Sequence, residues 1–176
     1  MDLAKATFLP TVRFDFYISR TGYGSMPKTH RAFGLSITYP DNWQVTEETD
    51  EEQVVGYQVQ SPASAFLSVY PSAWSTTPEA AVTQAMEAIG SEYDNVESAE
   101  FRPELLTSSG ALDEVHGLEM YFYYLDLLVR AKLIAFRVPG QTILVHFQAE
   151  DSEFRGLEKV FDAMLLTLCQ SIAGRG

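Results

Sequence analysis

An α+β domain built on an antiparallel sheet is the fold class this sequence predicts, and three observations carry it. Residues 132–148 hold two apolar runs separated by Pro139-Gly140, the pattern of two strands folded back across a tight turn. Period-two alternation of apolar and polar residues recurs in several other stretches, as half-buried strands require. Two segments with helical spacing fall among these strands without the strand-helix alternation of a parallel sheet. The expectation is a sheet of about six strands flanked by helices.

Taken in order, Phe8, Pro10, Val12, Phe14, Phe16 and Ile18 share one parity, which predicts a strand whose Pro10 places its start at a sheet edge. Thr21 to Arg31 carries two Gly, a Pro and several basic residues and reads as a flexible basic loop. Phe33 to Pro40 alternates again and closes with the turn chemistry of Pro40-Asp41-Asn42. Five of the six residues from Glu47 to Glu52 are acidic, and such a run is expected as a solvated loop. Val54 to Gln60 and Ala65 to Tyr70 then predict two strands of a meander.

Thr77-Pro78-Glu79 is a helix start: a capping hydroxyl, a proline suited to the first helical position, and an acid at the positive end of the dipole. Ala81, Val82, Ala85, Met86 and Ile89 recur at helical spacing, and Gly90 is the expected end. Asn95 to Gly110 gives a weak signal, read as one strand and a loop. Leu118 to Arg130 is the most apolar run, its aromatic content favouring a strand. Asp126, a charge inside it, is expected to face solvent or mark a turn, since a buried unpaired carboxylate is costly. Ser152 to Leu168 predicts an amphipathic helix of about four turns, capped by Asp151 or Ser152.

The 176 residues suffice for one domain with a sizeable core, whereas a split would leave each half marginal. The expected organisation is a single domain, 1–176, in which 1–32 form an N-terminal strand and basic loop added to a core of 33–168. A net charge of -12 argues against nucleic-acid backbones and anionic membrane surfaces, both of which need clustered Lys and Arg. Cys169 is the single cysteine, so no intramolecular disulfide or thiolate metal cluster is available, and it is expected as a small core hydrophobe. With no leader-like start and no apolar run long enough to span a bilayer, a cytoplasmic protein without membrane insertion is expected.

No sequence pattern for catalysis emerges. There is no Gly-x-Ser-x-Gly nucleophile turn and no phosphate-binding loop, and Gly22-Tyr23-Gly24 opens no helix. His30, His116 and His146 form no metal-ligating spacing with one another. No catalytic residue, metal or cofactor is therefore expected. The weak binding candidates are Tyr121 and Tyr123, from the aromatic run Tyr121-Phe122-Tyr123-Tyr124, and His146. Parity sets His146 with Leu144 and Gln148 on the less apolar face of its strand, which predicts a partly exposed imidazole.

Phe33-Gly34-Leu35-Ser36-Ile37-Thr38-Tyr39-Pro40-Asp41-Asn42-Trp43 resembles the F-x-I-x-Y-P-x-x-W opening of the domain shared by PsbP, the extrinsic photosystem subunit, Ran-binding Mog proteins, and bacterial DcrB-like proteins, including Eag-type secretion chaperones. The close is similar too: a strand of the type Ile143-Leu144-Val145-His146-Phe147, an acidic break, and a helix ending Phe161-Asp162-Ala163-Met164-Leu165-Leu166-Thr167-Leu168. The resemblance spans about 33–168, in pieces, and concerns fold-defining positions. It implies a PsbP/Mog-like sandwich of sheet and helices and a role through protein contacts. The N-terminal strand and basic loop are additions to that pattern.

The first functional expectation is thus a non-enzymatic protein-binding, adaptor or chaperone-like domain whose partner offers a basic or hydrophobic segment. The alternative is a small-molecule binder or enzyme with a pocket between sheet and helix around Tyr121, Tyr123 and His146. A third reading pairs the N-terminal strand with another subunit and makes the protein an assembly component; a homodimer is among the expected partnerships.

Overall fold

The computed structural model describes residues 26–107, 112 and 114–173. The expected strand at Phe8 to Ile18 and the first five residues of the basic loop, Thr21 to Ser25, lie outside them. The end of that loop differs from expectation, since Lys28–Ala32 form strand β1, paired antiparallel with β2 (Leu35–Tyr39). Phe33 and Gly34 make the turn, both at positive φ (53° and 74°), as a two-residue hairpin needs.

The main sheet has seven strands among the described residues, one more than expected: β3 (Gln44–Asp50), β4 (Gln53–Gln60), β5 (Phe66–Ala73), β6 (Glu97–Phe101), β7 (Val115–Tyr124), β8 (Leu127–Val138) and β9 (Gln141–Glu150). Their order is β3-β4-β5-β9-β8-β7-β6, and every pairing is antiparallel. The β8–β9 hairpin occupies the middle of the sheet, with Val138 opposite Gln141 and Gly140 at φ 84°.

Two expectations about the main sheet need correction. The acidic run is strand: Glu47 to Asp50 belong to β3, an edge strand, and the turn to β4 is Glu51-Glu52. An edge strand buries little, so exposed carboxylates are tolerated there and discourage pairing with another sheet. The apolar run Leu118 to Arg130 is two strands, split at Leu125-Asp126, both at positive φ. Asp126 marks that turn and is exposed, as its charge required.

Helix α1 (Pro78–Glu92) starts as expected, the Thr77 hydroxyl accepting the Ala80 N–H at 3.1 Å, but it runs two residues past Gly90. It lays Ala81, Val82, Ala85 and Ile89 against Leu118, Met120, Phe122, Ala131, Leu133 and Leu144 on one sheet face. Helix α3 (Asp151–Ala173) is longer than predicted, and the carboxylate that caps it is Glu150, which accepts the Glu153 N–H at 3.1 Å and the Ser152 hydroxyl. That side-chain bond from Ser152 holds the Glu150 carboxyl below its ordinary pKa.

Helix α3 and the β1–β2 hairpin together cover the other face. Phe154, Phe161, Met164, Leu165, Leu168 and Cys169 meet Ile134, Phe136, Ile143, Val145 and Phe147 in one buried cluster. Burial pushes the Cys169 thiol up to about 12, so it behaves as a small hydrophobe, as expected. The open edge of β2 is bonded to α3: the Ser36 N–H donates to Ser171 Oγ at 3.2 Å and the Thr38 N–H to Thr167 Oγ1 at 2.9 Å. The result is a helix, sheet and helix sandwich. No helix among the described residues is long and apolar enough to cross a membrane.

Candidate functional site

The α3 face does not close completely. A cleft of about 250 Å³ remains between the first half of α3 and the segment leaving β6, which continues into the short helix α2 (Glu104–Thr107). Its floor is apolar, made of Ile134 and Phe147 from the sheet and Phe154, Phe161 and Leu165 from the helix. Its outer wall is Phe101, Arg102, Pro103 and Glu104, and its polar rim includes Lys132, Glu158 and Asp162. The floor rings pack on one another, Phe154 and Phe147 lying 5.1 Å and 5.2 Å from Phe161 between centroids.

Gly117 on β7 lets that wall sit where it does. A Cβ there would lie 2.8 Å from the Phe101 carbonyl oxygen and 2.9 Å from Pro103 Cγ, so a side chain would push the wall off the sheet.

One end of the cleft carries a network of four charges. Arg130 donates to Glu119 at 2.6 Å, and Lys132 donates to Glu158 at 2.9 Å. Arg130 also lies 3.5 Å from Glu158, and Lys132 lies 3.8 Å from Glu119. Both cations stand over the Phe154 ring, at 4.7 Å and 5.4 Å, which adds cation–π attraction in a partly desolvated place. The hydrogen bond from Lys132 holds Glu158 below its ordinary pKa. One helical turn further on, burial raises the pKa of Asp162, Lys132 opposes this, and the negative Glu158 adds to the rise.

Of the residues singled out from sequence, Tyr121 borders the charged end of the cleft beside Arg130, Tyr123 and His146 lie elsewhere, and the three do not meet. Tyr121 and Tyr123 point from β7 to the α3 face, while His146 points from β9 to the α1 face, so no pocket joins all three. Tyr121 is half-buried beside Arg130, 5.8 Å from ring centroid to guanidinium carbon, and Tyr123 is exposed.

His146 departs from the expected partial exposure: it is 7% exposed, against Phe66 at 5.3 Å between ring centroids, and its Nε2 has no hydrogen-bond partner. Burial holds its pKa down to about 4, opposed in part by the neighbouring Gln148 side-chain oxygen, which favours the protonated ring. With Ser68 and Gln58 it forms a buried polar strip across β4, β5 and β9. Among the described residues no three His, Cys, Asp or Glu side chains converge as metal ligands.

Sequence reasoning missed the cleft because its parts come from β6, β8, β9 and α3. The one local signal is on α3, where Glu158 and Asp162, four residues apart, border the apolar stripe.

No family model matches the chain, and no curated protein matches it. Among solved structures it is similar to cyanobacterial PsbP (CyanoP) from Synechocystis sp. PCC 6803, with a TM-score of 0.52 and 14% identity, over 85% of this chain and 95% of that one. A Pseudomonas aeruginosa protein of unknown function matches over 82% of this chain and 96% of that one, with a TM-score of 0.45 and 10% identity. The fold is therefore PsbP-like, an α+β arrangement with a large antiparallel sheet between helices, in agreement with the resemblance seen in the sequence.

Proposed function

We propose that this chain is a non-catalytic polypeptide-binding module of adaptor or chaperone type and that the α3 cleft is where the partner docks. The observation that carries this reading is the cleft itself: a partly open hollow over the buried rings of Phe147, Phe154 and Phe161, bordered by charged side chains. Its volume of about 250 Å³ lies below the range of about 300–1,000 Å³ usual for small-molecule sites and suits one or two inserted side chains. Lys132, the ammonium group at its edge, is tied into ion pairs with Glu158 and Glu119, so it serves as part of the wall. The alternative, a small ligand or substrate held between sheet and helix, draws on the same cavity without Tyr121, Tyr123 or His146. The cytoplasmic location expected from the sequence stays within this proposal, and cell fractionation tests it.

The test is site-specific photo-crosslinking in the source cell, with p-benzoylphenylalanine at the exposed wall positions Arg102 and Glu104 and, as control, at the exposed Gln84 of α1. A protein adduct formed from the wall positions and absent from the control supports the docking site. Equal yields from wall and control positions, or no protein adduct at all, overturn it.

A further inference from the structure

We infer that the cleft takes a particular kind of segment, one in which an apolar side chain is flanked by Lys or Arg. This rests on the proposed docking site and adds the partner's chemistry. The apolar half of the requirement comes from the floor, where Ile134, Phe147, Phe154, Phe161 and Leu165 present no polar side chain to an occupant. The cationic half comes from the rim.

Three carboxylates, Glu104, Glu158 and Asp162, line the cleft against two cations, Arg102 and Lys132. Lys132 and Glu158 satisfy each other at 2.9 Å. What is left over is Arg102 on the exposed wall, Glu104 beside it, and the half-buried Asp162 on α3, whose carboxylate has no salt bridge or hydrogen bond among the described residues.

Asp162 is held partly buried with Lys132 acting on it only from a distance and no direct bond, a cost that an incoming cation reduces. An acidic flank would instead meet Asp162, Glu158 and Glu104, offset only in part by Arg102 and the ion-paired Lys132, and a chain whose net charge is -12. Asp162 lies one turn from Glu158 along α3, so a cation reaching it sits at the edge of the Phe161 and Leu165 floor. An apolar anchor and its basic neighbour are thereby seated together.

The experiment measures binding of short fluorescein-labelled peptides to the full chain by anisotropy, with Leu-Phe flanked by Arg and Lys, by Ser, or by Glu. The basic peptide is expected to bind at least about tenfold more tightly than the Glu-flanked one, with affinity falling as salt rises. Asp162→Asn, close to isosteric, is expected to weaken the basic peptide about five- to tenfold and to leave the Ser-flanked peptide unchanged. Glu104→Gln, on the exposed wall, provides the same readout should the first variant not fold.

Equal affinities for the basic and Glu-flanked peptides, or indifference to both substitutions, overturn the cation requirement while leaving a peptide-binding cleft in place. Failure of all three peptides to bind, together with failed crosslinking, removes the docking site itself.

Discussion

His146 gives a prediction whose magnitude follows from its surroundings. The imidazole is 7% exposed on the α1 side of the central strand, against Phe66, next to Ser68 across the β5 pairing and Leu133 across the β8 pairing. Burial disfavours the charged ring and brings its pKa from the ordinary 6.5 to about 4. Between those values the unfolded chain binds a proton that the folded chain does not, so stability is full above about pH 6.5 and falls as the pH drops. At about 1.4 kcal/mol per pH unit the loss reaches about 3 kcal/mol by about pH 4, where the folded protein protonates too.

Carboxylates titrate over part of the same range, so the quantity to measure is a difference between proteins. Urea unfolding of the wild type and of His146→Leu from about pH 7.5 to about pH 5 should show the variant gaining about 2 kcal/mol relative to the wild type. At the upper pH the variant should already match or exceed the wild type, because leucine removes an Nε2 atom that is buried without a partner, a defect worth about 1–3 kcal/mol. Parallel stability curves for the two proteins would refute the reasoning and mean that the ring reaches solvent in the folded state.

Gly117→Ala should cost about 1–3 kcal/mol and reduce binding of the basic peptide, since the added methyl meets the Phe101 carbonyl, which is backbone and cannot rotate away; chemical denaturation and anisotropy check it. Phe161→Ala removes the ring between Phe147, Phe154 and Trp43 and should cost about 3–5 kcal/mol by denaturant midpoint. Gly140→Ala should destabilise by about 1–2 kcal/mol through backbone conformation alone, because φ is 84° and no atom lies within 4 Å of the new methyl. Gly156→Ala, on the exposed side of α3 with the same open space and no positive φ, should stabilise by about 0.5–1 kcal/mol, and the opposite signs are read from thermal melts of the two variants.

The fold was legible wherever local chemistry and tertiary structure agreed. Pro139-Gly140 is turn chemistry, Thr77-Pro78-Glu79 is capping chemistry, and both elements formed where these residues put them. Where the reading went wrong, the turn residues were unconventional. Leu125-Asp126 and Glu51-Glu52 adopt positive φ without Gly or Asn, because long paired strands on either side fix the register and impose the turn. The acidic strand β3 was hidden for a related reason: its pairing with β4 rests on backbone hydrogen bonds, and its side chains add tertiary contacts that no local pattern shows, such as Glu48 accepting the Tyr70 hydroxyl of β5 at 2.8 Å.

His146 shows the limit of parity. Alternation identified its face correctly but not its burial, which depends on what lies across that face. The cleft was beyond sequence reading because its wall, floor and rim come from segments up to about sixty residues apart, each ordinary alone.

The two faces of the sheet differ in a way that explains why the open site is on the α3 side. Under α1, Ala81 and Ala85 from the helix and Ala131 and Ala135 from the sheet sit among Val82, Ile89, Leu118, Met120, Phe122, Leu133 and Leu144 in one buried cluster. Under α3 the contact is made by rings, Phe154 and Phe161 against Phe147, which fill space only where they meet one another.

On the cleft side of α3, Glu158 and Asp162 stand beside Phe154, Phe161 and Leu165. Carboxylates cannot close an apolar gap without burying charge, so the gap stays open at its rim. Glu158 is compensated by Lys132 and Arg130 and helps to close one end. Asp162 has no such partner, and the open cleft and the unmet charge are therefore products of the same helical face.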